Sequence, residues 1–163
     1  ICLDFKVKMP IFSLFLYDVK TNQVLLHQRA MNKYHSGGLW TNSCCSHPRK
    51  NEQLTEAVVR RAYEELGIKL LENDIIQAGH FTYLADFGEL AEYEIDQVVY
   101  AYVDHNIEFN VDNSEIMALK WIDIDQINNH IEDEPETFSA WFPQAFSYFY
   151  QAIKEGDNNE KMD

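Results

Sequence analysis

The chain has 163 residues, with 13 Lys and Arg against 27 Asp and Glu, a formal net charge of -14. That length suits one domain, and 46% hydrophobic residues suffice for a substantial core. Four Pro, six Gly, 25% charged and 13% aromatic residues exclude a collagen-like, low-complexity or disordered chain. No apolar run approaches the roughly 18 residues of a membrane span, and the acidity argues against nucleic acid or anionic lipid as partner, because phosphate neutralisation needs cations.

The elements follow in chain order. Residues 11–17 (IFSLFLY) and 24–28 (VLLHQ) are apolar strand candidates around a turn-like DVKTN, a hairpin signal. Residues 30–39 form a loop ending in Gly37-Gly38, and 40–44 a short extended piece. A helix is predicted from Asn51, its N-cap, to Leu66. Leu54, Val58, Ala62 and Leu66 make one apolar stripe at i+4, and Gly67 is the stop. Strands are predicted at 75–85 and 93–103, joined by DFGELAE, and at 116–122. Asp123 caps a short helix to about 131, and an aromatic-rich helix covers roughly 138–154. Residues 1–155 read as a single domain, α+β in class (an α/β sandwich), with a mixed sheet flanked by helices. Residues 156–163 read as a polar tail expected to fray.

Charge is unevenly placed. Residues 1–88 hold ten Lys/Arg and nine Asp/Glu, whereas residues 89–163 hold three and eighteen. The balanced half contains WTNSCCSHPRKNEQLTEAVVRRAYEELGI (40–68), which gathers Cys44, Cys45 and His47 with Arg49, Lys50, Arg60 and Arg61, then Glu64 and Glu65. In an extended segment Cys45 and His47 share a face, and on a helix Arg61 and Glu65 share a side. Packing explains a lone buried Cys or His, but a thiol, an imidazole and a cation-lined loop seldom coincide by chance. In the acidic half, Glu92 and Glu94 of ELAEYEID share a face if the segment is a strand. An exposed acidic edge explains them as readily as a cation between them. With His47 they would suit a borderline or hard divalent metal. Cys2, Cys44 and Cys45 make a poor disulfide framework, which points to a reduced, intracellular, cytoplasmic chain.

WTNSCCSHP, RRAYEELGI and EYEID closely resemble the type 1 isopentenyl-diphosphate Δ-isomerase family, with a Nudix-like fold, from about Phe12 to Trp141. The resemblance implies interconversion of isopentenyl and dimethylallyl diphosphate through a tertiary carbocation. It implies Cys45 as catalytic thiol, Glu94 as catalytic carboxylate and Tyr83 as the tyrosine assisting it. It implies His47, Glu92 and Glu94 as ligands of a divalent metal (Mn²⁺, Zn²⁺ or Mg²⁺), and Glu65 as the carboxylate for Mg²⁺ on the substrate diphosphate. It further implies Arg29, Lys33 and Arg61 as diphosphate contacts, and Trp141 as the ring facing the hydrocarbon. An alkene is a feeble base, so Glu94 has to hold a proton, with Tyr83 as partner or relay. The partner so implied is a small allylic or homoallylic diphosphate, with the chain a monomer or weak dimer.

Two departures from the family stand out. Met9 and Cys2 occupy the places of its upstream histidine ligands. The Nudix pattern G-x5-E-x7-R-E-U-x-E-E-x-G-U, laid on this chain, finds Ser46 for the glycine, keeps Glu52, Glu64 and Glu65, and turns the central R-E into Arg60-Arg61. Arg61 in place of a magnesium-gathering glutamate favours binding a diphosphate over cleaving it. A Nudix diphosphohydrolase and a non-catalytic diphosphate-binding protein are the alternatives. His27, His105 and His130 are read as surface or strand residues, His35 as no phosphate ligand, His80 as facing away from Tyr83, and Cys44 as packing.

Overall fold

The apolar run at 11–17 is buried on both faces, and the architecture follows from that. In the computed structural model, residues 8–33, 36–86 and 91–162 are described, without the side chains of 8, 9, 85, 86, 91, 92 and 157–162. Strand β1 (Lys8–Asp18) sends Phe12, Leu14 and Leu16 to one side, where they meet Val58, Ala62 and Leu66 of helix α1 (Leu54–Leu66). It sends Phe15 and Tyr17 to the other side, against Phe142, Phe146 and Phe149 of helix α3 (Phe142–Met162). Alternation along a strand thus builds two cores, one per helix. Phe15 stacks on Phe149 with ring centroids 4.7 Å apart. The two strand predictions at 75–85 and 93–103 correspond to β5 (Ile76–Asp86) and β6 (Ala91–Tyr102).

Among the described residues the sheet is mixed. Its order is β3 (Trp40–Thr41), β2 (Gln23–Arg29), β1, β6, β5; β4 (Cys44–Ser46) pairs with β1, and β7 (Ile116–Asp123) with β2. The β1–β2 hairpin is paired beside its turn, at Tyr17–Val24 and Asp18–Gln23. Farther on the strands part. β4 takes β1, through Phe12–Ser46, Ser13–Cys45 and Leu14–Cys44, while β3 and β7 take β2. β1 and β6 run parallel, from Lys8–Tyr93 to Tyr17–Tyr102.

Helix α1 begins later than its periodicity predicts. Asn51 has φ 68° in a turn closed by Glu52 N–H to Arg49 O (2.9 Å), so Gln53 takes the N-cap position, with no side-chain bond. The stop falls at Gly67 as expected, with φ 70° and its N–H on Tyr63 O; a Cβ there would lie 2.7 Å from Asn110. Asp123 caps α2 (Ile124–Asp133) by accepting from Asp125 N–H at 2.8 Å. Helix α3 differs most from expectation. A 3-10 turn at Pro135–Thr137 precedes it, its first residue is Phe142, and it continues to Met162 through the segment expected to fray.

Candidate active site

Register places the chemistry. Residues directly opposite in paired strands share a face, as do i and i+2. Cys45 lies opposite Ser13 of β1, and Ser13 Oγ donates to Asp96 Oδ2 on β6 at 2.7 Å. Glu94 precedes Asp96 by two residues, and Tyr83 of β5 lies opposite Glu94. Thiol, two carboxyls and phenol therefore project from one face of β4, β1, β6 and β5. Cys45, Glu94 and Tyr83 line a cavity of about 350 Å³ with His47, at the end of the molecule where β1 and β2 have parted. His47 Nε2 stands 3.7 Å from Glu94 Oε1.

Cations line the same cavity. Arg29, the last residue of β2, puts Nη1 3.8 Å from Cys45 Sγ and its guanidinium 5.3 Å from the centroid of the Trp141 ring. Trp141 is buried, and its indole N–H reaches Asn42 Oδ1 at 3.4 Å. Lys33 is paired with Glu115, the residue directly before β7. On α1, Arg61 Nη2 donates to Glu65 Oε1 (2.6 Å) and Nη1 to Glu64 Oε2 (2.5 Å). The other oxygen of Glu65 accepts from the Cys44 thiol at 2.8 Å. The Glu52 carboxylate is taken up by Arg60, at 2.8 and 2.9 Å, and Glu64 is shared between Arg60 and Arg61. Of Glu52, Glu64 and Glu65, Glu65 is the one lining the cavity.

Burial sets the protonation states. It pushes the Cys45 thiol up to about 12, against the opposing pull of Arg29, so sulfur carries its proton in the free site. Burial, then the Glu65 charge, raises Cys44 likewise, which keeps it a donor. Glu65 is raised by burial and held against that by Cys44 and Arg61. Burial and then Glu94 raise Tyr83, so the phenol stays protonated. Burial lifts Asp96 to about 7, with Ser13 opposing and Glu94 adding.

A NUDIX domain profile matches residues 7–142. The chain is 41% identical over 142 residues to an isopentenyl-diphosphate Delta-isomerase of Photobacterium profundum, covering 84% of this chain and 77% of that one. A protein of the same name from Burkholderia multivorans is 39% identical over 132 residues, 80% of this chain and 72% of that one. The chain belongs to this isomerase family, on a NUDIX domain. Among solved structures, a MutT protein of Methanosarcina mazei superposes with a TM-score of 0.71 at 21% identity, over 93% of this chain and 96% of that one, which shows the fold.

Of the residues singled out by the family resemblance, Cys45, His47, Tyr83, Glu94, Arg29, Lys33, Arg61, Glu65 and Trp141 all line this one cavity. Glu92 lies on β6, but its side chain is outside the described residues, as are Cys2 and His35. Met9 is in register with Glu94, its side chain likewise undescribed. Arg49, Lys50 and Arg60 do not line the cavity. Cys44 packs under α1, as its alternation predicts, and also holds Glu65, which alternation does not reveal. His27 is a strand residue, on β2, as one of its two readings has it; it is not on the surface but buried, and it lines the cavity. Its Nδ1 lies 2.5 Å from Asn42 O, and burial, then Arg29, lower it to about 4 against the bonds to Asn42 and Ser43. The ring is neutral and donates through Nδ1, leaving Nε2 an acceptor. A His inside the apolar run VLLHQ is the signal that identifies it. Asp96, an acid inside the apolar EIDQVV, carries the same signal, whereas Glu115 carries none. His105 is not merely a surface residue either. It bonds Asp18, and Asp18, Asp104 and His105 form a potential ligand trio at the opposite end of β1, where Asp18 already accepts from Lys20, Thr21 and His105.

Proposed function

We propose that the protein interconverts isopentenyl and dimethylallyl diphosphate, with Cys45 and Glu94 as the acid–base pair. The supporting observation is their placement on one sheet face, flanking β1, with three cations and an indole in the same cavity. Its volume, about 350 Å³, is at the small end for ligand pockets and suits a five-carbon chain and its diphosphate.

One member of the pair gives a proton to the terminal carbon of the alkene, forming a C–H bond and a cation at the adjacent tertiary carbon. The other takes a proton from the next carbon, whose C–H electrons become the new double bond. The direction of reaction decides which does which. With its proton retained in the free site, Cys45 acts as a proton carrier rather than a nucleophile. Tyr83 faces Glu94 as a protonated phenol and serves it as hydrogen-bond partner or relay. Trp141 offers π density to the cation, worth about 2 kcal/mol or more when water is excluded. Arg29 stands between thiol and indole, so the diphosphate end sits close to the reacting carbons. Arg61 and Lys33 complete that end and supply binding energy remote from the chemistry.

The donor set fits a divalent ion: an imidazole nitrogen and a carboxylate oxygen stand 3.7 Å apart at His47 and Glu94, on the edge where Glu92 and Met9 also lie. His47, Glu94 and Glu92 would hold it, as Mn²⁺, Zn²⁺ or Mg²⁺, and it would supply positive charge that fixes the carboxylate. Glu65 would receive Mg²⁺ bound to the substrate diphosphate. Hydrolysis is disfavoured, since Glu52 and Glu64 are engaged by arginines and Arg61 fills a position where the hydrolase pattern has glutamate. A cytoplasmic, monomeric or weakly dimeric enzyme completes the proposal; no helix among the described residues is long and apolar enough to cross a membrane. The test is isomerisation by purified protein with Mg²⁺ and added Mn²⁺ or Zn²⁺, alongside Cys45→Ala and Glu94→Gln. Equal turnover in the variants removes the mechanism. Phosphate release without a double-bond shift indicates a hydrolase, and tight binding without turnover a non-catalytic protein.

A further inference from the structure

Glu115 lines the cation end of the cavity and is not accounted for by the chemistry above. It grips the loop that carries the cations at two points. Its carbonyl accepts from Ala30 N–H at 3.0 Å, directly after Arg29, and its carboxylate is paired with the Lys33 ammonium. Its own N–H is fixed on Asp112 O at 2.9 Å. Its charge reaches across the cavity far enough to contribute to the raising of Glu65. The cavity end thus holds Arg29, Lys33 and Arg61 against Glu65 and Glu115, a net charge of one positive unit. His27 adds none, being neutral. Glu64 bonds Arg61 but does not line the cavity.

A diphosphate ester carries roughly three negative charges at neutral pH, and with one Mg²⁺ roughly one remains. A net positive end attracts both forms, and each anionic side chain there weakens the hold on the bare anion more than on the complex. We propose that Glu115 is a specificity-determining residue that shifts the preference of the cavity away from the metal-free diphosphate and toward its Mg²⁺ complex. The inference rests on reading this end of the cavity as a diphosphate site. Its electrostatic logic has a sign. Raising the local charge by one unit strengthens attraction for the bare anion about three times as much as for the complex, because Coulomb energy scales with the ligand's charge. Lowering it does the reverse.

The probe is inorganic diphosphate, titrated calorimetrically into the full chain with chelator and with saturating Mg²⁺. For the unmodified protein, the ratio of Mg²⁺-complexed to metal-free affinity defines the enhancement against which the variants are read. Glu115→Gln is expected to tighten metal-free binding by about tenfold and shrink the Mg²⁺ enhancement. Lys33→Gln, which keeps Glu115 and removes a cation, is expected to weaken metal-free binding and enlarge the enhancement. The opposite movements separate charge selection from a loosened loop, which would weaken both forms together. An enhancement unchanged in Lys33→Gln, or the two variants moving in the same direction, overturns the inference, and Lys33→Gln decides it even if Glu115→Gln fails to fold. Turnover by the unmodified protein is assayed on the same preparation. Turnover with a Glu115-insensitive enhancement removes this inference alone. Diphosphate binding that follows Glu115 without turnover removes the isomerase reading alone, and no diphosphate binding removes both.

Discussion

At one end of β1, Asp18 is buried with four hydrogen bonds on its carboxylate, from Lys20 and Thr21 N–H and from the His105 backbone and ring. Toward the other end, on neighbouring β6, Asp96 is fully buried and, among the described residues, has a single donor, Ser13, and no partner on Oδ1. Burial acts to raise both. At Asp18 the His105, Lys20 and Thr21 bonds outweigh it and bring the group to about 2, whereas Asp96 rises to about 7. At the turn end the Asp18 carboxylate is satisfied internally, although Thr21 Oγ1 beside it is buried without a partner among the described residues. The cavity end leaves buried polar atoms unmatched, including Arg61 Nε, and the protein carries that cost where its chemistry is proposed to lie.

The comparison breaks most visibly in activity. Cys45→Ala and Glu94→Gln should each lower isomerisation by roughly 10²–10⁴-fold, while melting temperatures measured by calorimetry stay near that of the unmodified protein. A large loss of stability in either would place these groups with Asp18 rather than apart from it.

Next in size is the pH response of Asp96. Its folded value lies above its unfolded one, so the folded state binds the extra proton. Stability is then greatest below about pH 4 and falls as pH rises through about 7. Urea unfolding at pH 5 and pH 8 should differ by roughly 2–4 kcal/mol from this group, and Asp96→Asn should remove most of the difference. Asp18 has the opposite sign. Its folded value is depressed, so its contribution is present above about pH 4 and lost as pH falls toward 2. Asp18→Asn should cost about 2 kcal/mol at pH 7 and leave turnover at low temperature unchanged.

The smallest effect expected is at Cys44, whose thiol steadies Glu65. Cys44→Val should weaken Mg²⁺-diphosphate binding by about 1 kcal/mol, less than tenfold, and Cys44→Ser, which restores a donor, should recover part of it. Equal titrations for Val and Ser would show that the cysteine only packs.

Much of the site was legible because its residues lie close together in sequence. Cys45 and His47 are two apart on an extended segment, Arg61 and Glu65 are one helical turn apart, and Arg29 ends β2 with Lys33 in the loop that follows. Periodicity over such short spans determines which side chains share a face, and the stripe from Leu54 to Leu66 placed α1 with its stop at Gly67. The start of that helix was less legible. Asn51 is a good capping residue by type, but the Arg49–Glu52 turn takes it into positive φ. The end of α3 shows the same limit. Composition suggested fraying beyond residue 155, while the helix, anchored by Phe142, Phe146, Phe149 and Ile153, continues to Met162.

Taken alone, the sequence determined the class of chemistry, because a thiol, an imidazole, carboxylates and cations in ordered motifs are properties of residue type and local spacing. It also determined the apolar segments that become β1, α1 and α3. Tertiary structure alone decided which distant groups meet. Ser13 bonds Asp96 across 83 residues, Lys33 pairs with Glu115 across 82, and Cys45 and Tyr83 share a face because β1 and β6 lie between their strands. Strand register is set by the packing of both cores at once, and burial by everything packed around a residue. Neither quantity resides in any short stretch of chain, which is why Glu115 became visible as a site residue only in the fold, and why His27 and Asp96, signalled by a polar residue in an apolar run, acquired their partners only there.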